Sequence, residues 1–118
     1  SCDPDRMANP DNIKYSPEMR ALFIGEDSGM HLNNYLWVWS IDSGTLTRIF
    51  SAPAGAEHTG LLVVPNRDGH AYILGNIPHP GAANDLKKYP DSIKLDLRKK
   101  IDPRGAVGYL GGLPALTR

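Results

Sequence analysis

The sequence predicts an all-β fold of antiparallel meander sheets. Three observations carry this. Short runs rich in aromatic and β-branched residues alternate with turn signals over residues 12–76. Glycine and proline are abundant, 12 and 10 of 118 residues, which suits loop-rich β structure better than helix. One strand–turn–strand plan also recurs: the segments Lys14–Ile24 and Val63–Ile73 share it, with Pro17 and Pro65 set 48 residues apart. Four-stranded propeller blades repeat at about 40–50 residues, so the spacing predicts about two blades of a β-propeller. An irregular C-terminal tail is expected to follow them.

Each element has its own reason. Asn12–Tyr15 and Met19–Ile24 flank the turn residues Ser16-Pro17-Glu18. Asn34–Ile41 is apolar on both faces, with Tyr35, Trp37, Trp39 and Ile41 on one and Leu36 and Val38 on the other, as an inner strand requires. Trp37 and Trp39 are therefore expected in an inter-sheet core. Asp42-Ser43-Gly44 is a turn, and Thr45–Phe50 alternates polar and apolar like a half-exposed returning strand. Gly60–Val64 ends at Pro65, Asn66-Arg67-Asp68-Gly69 is a third turn, and His70–Asn76 returns. Farther on, Ile93, Leu95 and Leu97 alternate with Lys94, Asp96 and Arg98, which reads as a basic strand or a short irregular segment. Ala106–Pro114 is apolar and glycine-rich and reads as a last strand or a packed tail.

Charge divides the chain. Its 13 basic and 13 acidic residues cancel overall, which argues against general nucleic-acid binding. Residues 1–84 carry five bases against nine acids, a net −4, and residues 85–118 carry eight bases against four acids, a net +4. The sequence thus suggests blades over 1–84 and a basic extension over 85–118, with the boundary at Gly81-Ala82-Ala83-Asn84. No apolar run approaches the ~20 residues that span a bilayer. Cys2 is the single cysteine, so an internal disulfide is excluded. No secretory signal precedes the first strand.

The polar residues that invite a chemical role stand at strand ends. Asp11 and Asn12 precede the first strand, Glu26 and Asp27 follow Ile24-Gly25, Glu57 and His58 precede Leu61, and Asn76 and His79 close the next hairpin. Oxygen donors of this kind suit hard cations, calcium above all, when several strand ends converge. Read singly, Asp and Asn before a strand are ordinary turn formers, and His58 and His79 are ordinary structural hydrogen-bonders. His31 and His70 fall in loop or turn contexts and are expected at the surface. No phosphate-binding glycine loop, paired-histidine zinc helix or nucleophile-elbow serine occurs.

In combination, Asp11-Asn12-Ile13, Glu26-Asp27, Gly55-Ala56-Glu57-His58-Thr59-Gly60 and Asn76-Ile77-Pro78-His79-Pro80-Gly81 resemble the C-terminal part of PhoX-type alkaline phosphatases. The order and spacing of these motifs agree across residues 9–81. The resemblance implies a six-bladed-type propeller, periplasmic or secreted, hydrolysing phosphate monoesters with calcium and iron at its axis. It implies that Glu57 is a metal ligand, that Asp11, Asn12 and Glu26 or Asp27 stand near the channel mouth, and that His58, Asn76 and His79 face substrate. Ala54-Gly55-Ala56 departs from members that carry a phosphate-gripping arginine before the glutamate, and Cys2 is out of place for iron. Because family members run to several hundred residues, the chain is expected to be a part of a longer propeller and inactive alone. Its partners would be the rest of that propeller and a phosphate ester, and its free sheet edges invite homo-oligomers. A calcium-dependent lactonase-type propeller and a non-catalytic propeller scaffold are the competing readings. Iron together with calcium would favour the phosphatase, calcium alone the lactonase, and no metal the scaffold.

Overall fold

The computed structural model describes residues 3–82, 86, 87 and 89–115. Cys2 and the Ala83-Asn84 end of the expected boundary lie outside the described residues. Among the described residues, seven strands form two antiparallel sheets. β1 (Pro10–Ser16), β2 (Ala21–Glu26), β3 (Tyr35–Ser40) and β4 (Thr45–Ser51) make a four-stranded meander in the order β1-β2-β3-β4. β5 (Thr59–Arg67), β6 (His70–Ile77) and β7 (Ala106–Pro114) make a three-stranded sheet in the order β5-β6-β7. Among the described residues, a helix of ten residues, α1 (Asp91–Lys100), lies between β6 and β7 in the chain.

The turns close as their residues dictate. At β1–β2, Arg20 N–H donates to the Pro17 carbonyl at 3.3 Å and Arg20 takes a positive φ of 48°. At β3–β4, Gly44 occupies φ 63° and donates to the Ser40 carbonyl at 2.9 Å. At β5–β6, Asp68 and Gly69 both adopt positive φ, 52° and 84°, and the Asn66 side chain accepts from Gly69 N–H at 3.0 Å. β5 runs on through Pro65 to Arg67, with a register shift between Val64 and Arg67. An outer strand tolerates a proline there because one side of its backbone has no ladder bond to lose.

The sheets face each other, with β5 beside β1 and β2. Phe23, Leu36, Ala21 and Ile73 are buried between them, surrounded by Met19, Val38, Ile49, Phe50, Leu61, Val63, Leu110 and Leu113. Alternation delivers this: Phe23 pairs in register with Val38, and Val63 with Ile73, so successive rows point the same way. β3 is indeed an inner strand, but its two tryptophans separate. Neither belongs to the expected inter-sheet core: Trp37 is buried, 4 % exposed, but on the other face of the sheet, and Trp39 is 37 % exposed. Both lie on the side of the sheet away from Phe23. Trp37 is covered there because the Arg48 guanidinium sits 5.9 Å from its ring and 4.6 Å from that of Tyr35, tied to the Pro4 carbonyl at 2.8 Å. Trp39 stands one row farther along, next to Leu22 and Leu46 in register, beyond that cover.

Where it is described, the expected irregular tail carries a helix and a strand. Residues 91–100 form a helix, not a strand, although Ile93, Leu95 and Leu97 alternate with polar neighbours. None of its side chains is buried, so no sheet partner rewards the alternation and local preference decides. Pro90 leads in with an extended ψ of 148°, Asp91 stands in the first turn, and Arg98, Lys99 and Lys100 stand in the last, all in the sense the helix dipole favours. Asp91–Lys94 and Asp96–Lys100 pair at 3.1 and 2.8 Å with helical spacing. β7 then joins β6 and completes the second sheet, with Leu110 opposite Ile73 and Tyr109 opposite Leu74. Among the described residues, no helix is long and apolar enough to cross a membrane.

Candidate functional site

Three of the acids singled out in the sequence meet at one end of the β1–β2 ladder. Pro10 pairs with Glu26 and Asn12 with Gly25, so Asp11 is the extra residue of a β-bulge. A bulge leaves its extra residue outside the pairing and re-aims it. Asp27 follows β2 directly and is pinned by reciprocal bonds: its N–H donates to the Asn9 carbonyl at 3.3 Å, and the Asn9 amide donates to its carbonyl. Glu57 arrives on the connector between the sheets. That connector is held by Ala52 N–H on the Asn34 carbonyl, 2.8 Å, Gly55 N–H on the Leu32 carbonyl, 3.0 Å, and His58 N–H on the Glu26 carbonyl, 3.2 Å. The approach is close enough to require glycine at position 25: a Cβ there would fall 2.0 Å from the His58 carbonyl oxygen.

The carboxylates of Asp11, Asp27 and Glu57 each offer an oxygen within 4.8 Å of the other two. Asp11 and Asp27 are exposed and Glu57 is half-buried. A calcium ion takes oxygen ligands at about 2.3–2.6 Å, so oxygens spaced like these fit one coordination sphere. The donor set is all oxygen, which suits a hard cation; it has no thiolate or imidazole to favour a transition metal. Asn12 supports the set from the side, its amide donating to Asp11 Oδ2 at 2.5 Å.

His79 belongs to the same cluster through Glu57. Its Nε2 lies 2.9 Å from Glu57 Oε1 and its Nδ1 lies 3.3 Å from the Gly55 carbonyl. Desolvation pulls the His79 imidazole downward, but the hydrogen bonds to Glu57 and Gly55 and the Glu57 charge outweigh it, and the net shift is upward.

Glu26 and His58 are used differently. The Glu26 side chain is fully buried and accepts four hydrogen bonds: Ala8 N–H at 2.8 Å and Trp37 Nε1–H at 2.9 Å on Oε1, Tyr35 N–H at 3.0 Å and His31 Nδ1 at 3.0 Å on Oε2. With both oxygens engaged inside the protein, this carboxylate is an internal hub and is not grouped with the three-acid cluster. His31, expected at the surface, is 7 % exposed; its Nε2 reaches the Asp3 carbonyl at 3.2 Å. His70 is exposed, as expected. His58 is 5 % exposed, lies flat against Gly75 and meets the Phe50 ring edge-on at 5.2 Å. Among the described residues, its Nδ1 has no hydrogen-bond partner, and burial holds its pKa down at about 4. Asn76 is exposed at the end of β6, opposite Thr59 and over Gly60, whose φ of 61° accommodates it.

Sequence reasoning passed over Asn34. It is 5 % exposed, accepts from Ser28 N–H at 2.9 Å and donates to the Ala56 carbonyl at 2.9 Å, so it clamps the Glu57 connector to the loop before β3. The only signal was an Asn-Asn pair ahead of an aromatic strand, which reads equally well as a turn. The chain matches no protein-family model, no curated protein and no solved structure.

Proposed function

We propose that the chain supplies blades of a PhoX-like β-propeller, in which Asp11, Asp27 and Glu57, flanked by Asn12, hold a calcium ion at the mouth of the axial channel. The observation that carries this reading is the convergence of three acids from three separate segments, a bulge, a strand end and a connector, within 4.8 Å. A four-stranded meander beside a second antiparallel sheet supports the reading, because propeller blades are four-stranded sheets. A calcium ion so held supplies positive charge for phosphoryl oxygens. Glu57 and Asp11 keep it in place, and His79 fixes the Glu57 carboxylate through the 2.9 Å bond. The substrate class is a phosphate monoester and the location is the periplasm or the exterior. The iron of such a centre is assigned, as the resemblance implies, to residues of a longer polypeptide that contains the chain.

The test is a calorimetric titration of the chain with calcium, alongside terbium luminescence. One calcium per chain is expected, lost in the combined Asp11→Asn, Asp27→Asn and Glu57→Gln variant and kept in Glu18→Gln. Absence of binding, or equal binding by the triple variant, sinks the reading. The chain alone is expected to show no turnover of a phosphate monoester; measurable calcium-dependent hydrolysis would show that these blades suffice. In a longer protein containing the chain, iron together with calcium separates phosphatase chemistry from a lactonase-type site with calcium alone.

A further inference from the structure

We propose that the free edge of β7 is a self-association edge: two copies pair β7 with β7 antiparallel and join their three-stranded sheets about a twofold axis. This goes beyond the metal-site reading and does not depend on it. Unpaired edge strands template further pairing, and proteins blunt them with charges, prolines, bulges or cover. The four sheet edges here differ in that respect. β1 and β5 lie against each other. β4 carries a register irregularity opposite Leu36 and Trp37, and Arg48 and two threonines stand along it. β7 has none of this over its first five residues. Ala106–Leu113 contains no charged residue and no proline. Its irregularity is confined to the stretch between Leu110 and Leu113, where Gly112 takes φ 74°. Residues 106–110 pair with β6 one for one.

The neighbouring sheet shows what such a strand ordinarily receives. Counting from the β1/β5 side, β3 is third and is covered by β4. β7 is also third, and no described strand follows it. Val107 and Tyr109, on one face of β7, are 80 % and 68 % exposed. A second copy suits this edge because an uncharged strand opposes no like charges when paired with itself. Pairing centred on Gly108 sets Val107 of each copy opposite Tyr109 of the other, a β-branched–aromatic cross-strand pair made twice. The contact is isologous, so it closes at two copies.

Sedimentation velocity of the 118-residue chain in reducing buffer, which keeps Cys2 from forming a covalent dimer, tests the proposal. A monomer–dimer equilibrium is expected from micromolar to millimolar concentration, and amide exchange over residues 106–110 is expected to slow as the dimer fills. Val107→Lys places like charges beside the twofold and is expected to weaken association by about tenfold or more. Leu46→Lys on β4 leaves it unchanged. Exchange in the unmodified chain stands independently of whether either variant folds. A monomer at every concentration overturns the proposal, even with protected β7 amides, since the edge is then covered from within the chain. Open-ended growth overturns it too, because that is the signature of β4 pairing with β7. So does association abolished by Leu46→Lys and kept by Val107→Lys.

Discussion

At the scale of the residue, Glu26 and Glu57 show how similar acidic strand-end positions diverge. Glu57 stays half-buried and shares a cluster with two other acids. Glu26 turns under the sheet, where four donors meet it. Removing a buried, fully bonded carboxylate strands those donors and unpairs His31. Glu26→Ala is therefore expected to cost about 3–5 kcal/mol, read as a lowered urea midpoint. Glu18→Ala, exposed in the first turn, is expected to move that midpoint far less. His58 gives a prediction in pH. Burial lowers its pKa from 6.5 to about 4 in the folded chain. The unfolded chain then binds the proton more readily, so the contribution of His58 to stability is full above about 6.5 and falls as the pH drops toward 4. His79, shifted upward by Glu57, has the opposite sign: its contribution is present at low pH and is lost as pH rises through its folded value. Urea midpoints across this range are expected to decline toward acid, and His58→Phe, which fills the slot with no titrating group, is expected to flatten the decline.

At the scale of the element, β2 and the Glu57 connector fit because two glycines yield space. A Cβ at Gly25 would meet the His58 carbonyl oxygen at 2.0 Å, and one at Gly75 would meet the His58 ring at 2.4 Å. The first obstacle is backbone and cannot rotate away; the second is a side chain that can move at some cost. Overpacking costs typically about 1–3 kcal/mol, so Gly25→Ala is expected at or beyond the upper end and Gly75→Ala below it, as thermal unfolding of the two variants will show. Equal and small effects would mean that the connector does not pack against β2 this closely. The strands were legible in the sequence because alternation and turn residues agreed: Gly44, Asn66 and Gly69 each close the hairpin their chemistry implies. Helix α1 was not, because three alternating aliphatics look the same on a strand and on an unburied helix. The dipole-ordered charges from Asp91 to Lys100 were the better guide.

At the scale of the whole molecule, two sheets share one buried interface, and the three-acid cluster stands where β1, β2 and the inter-sheet connector meet. Because the cluster spans both the first sheet and the connector, an ion bound there favours the folded chain. Calcium at about a hundred times its dissociation constant is expected to add about 2.7 kcal/mol, seen as a concentration-dependent rise in melting temperature. The triple variant Asp11→Asn, Asp27→Asn, Glu57→Gln is expected to melt at one temperature with or without calcium. A rise that persists in that variant would place the ion elsewhere. The sequence by itself determined the six strands of the three hairpins and the strand ends that carry acids, since period-two patterning and turn chemistry act between near neighbours. Only the tertiary structure decided which of those acids meet. The bulge at Asp11, the descent of Glu26 beneath Trp37 and the fold of the connector onto Gly25 depend on contacts between residues far apart in the chain, and no local pattern encodes them.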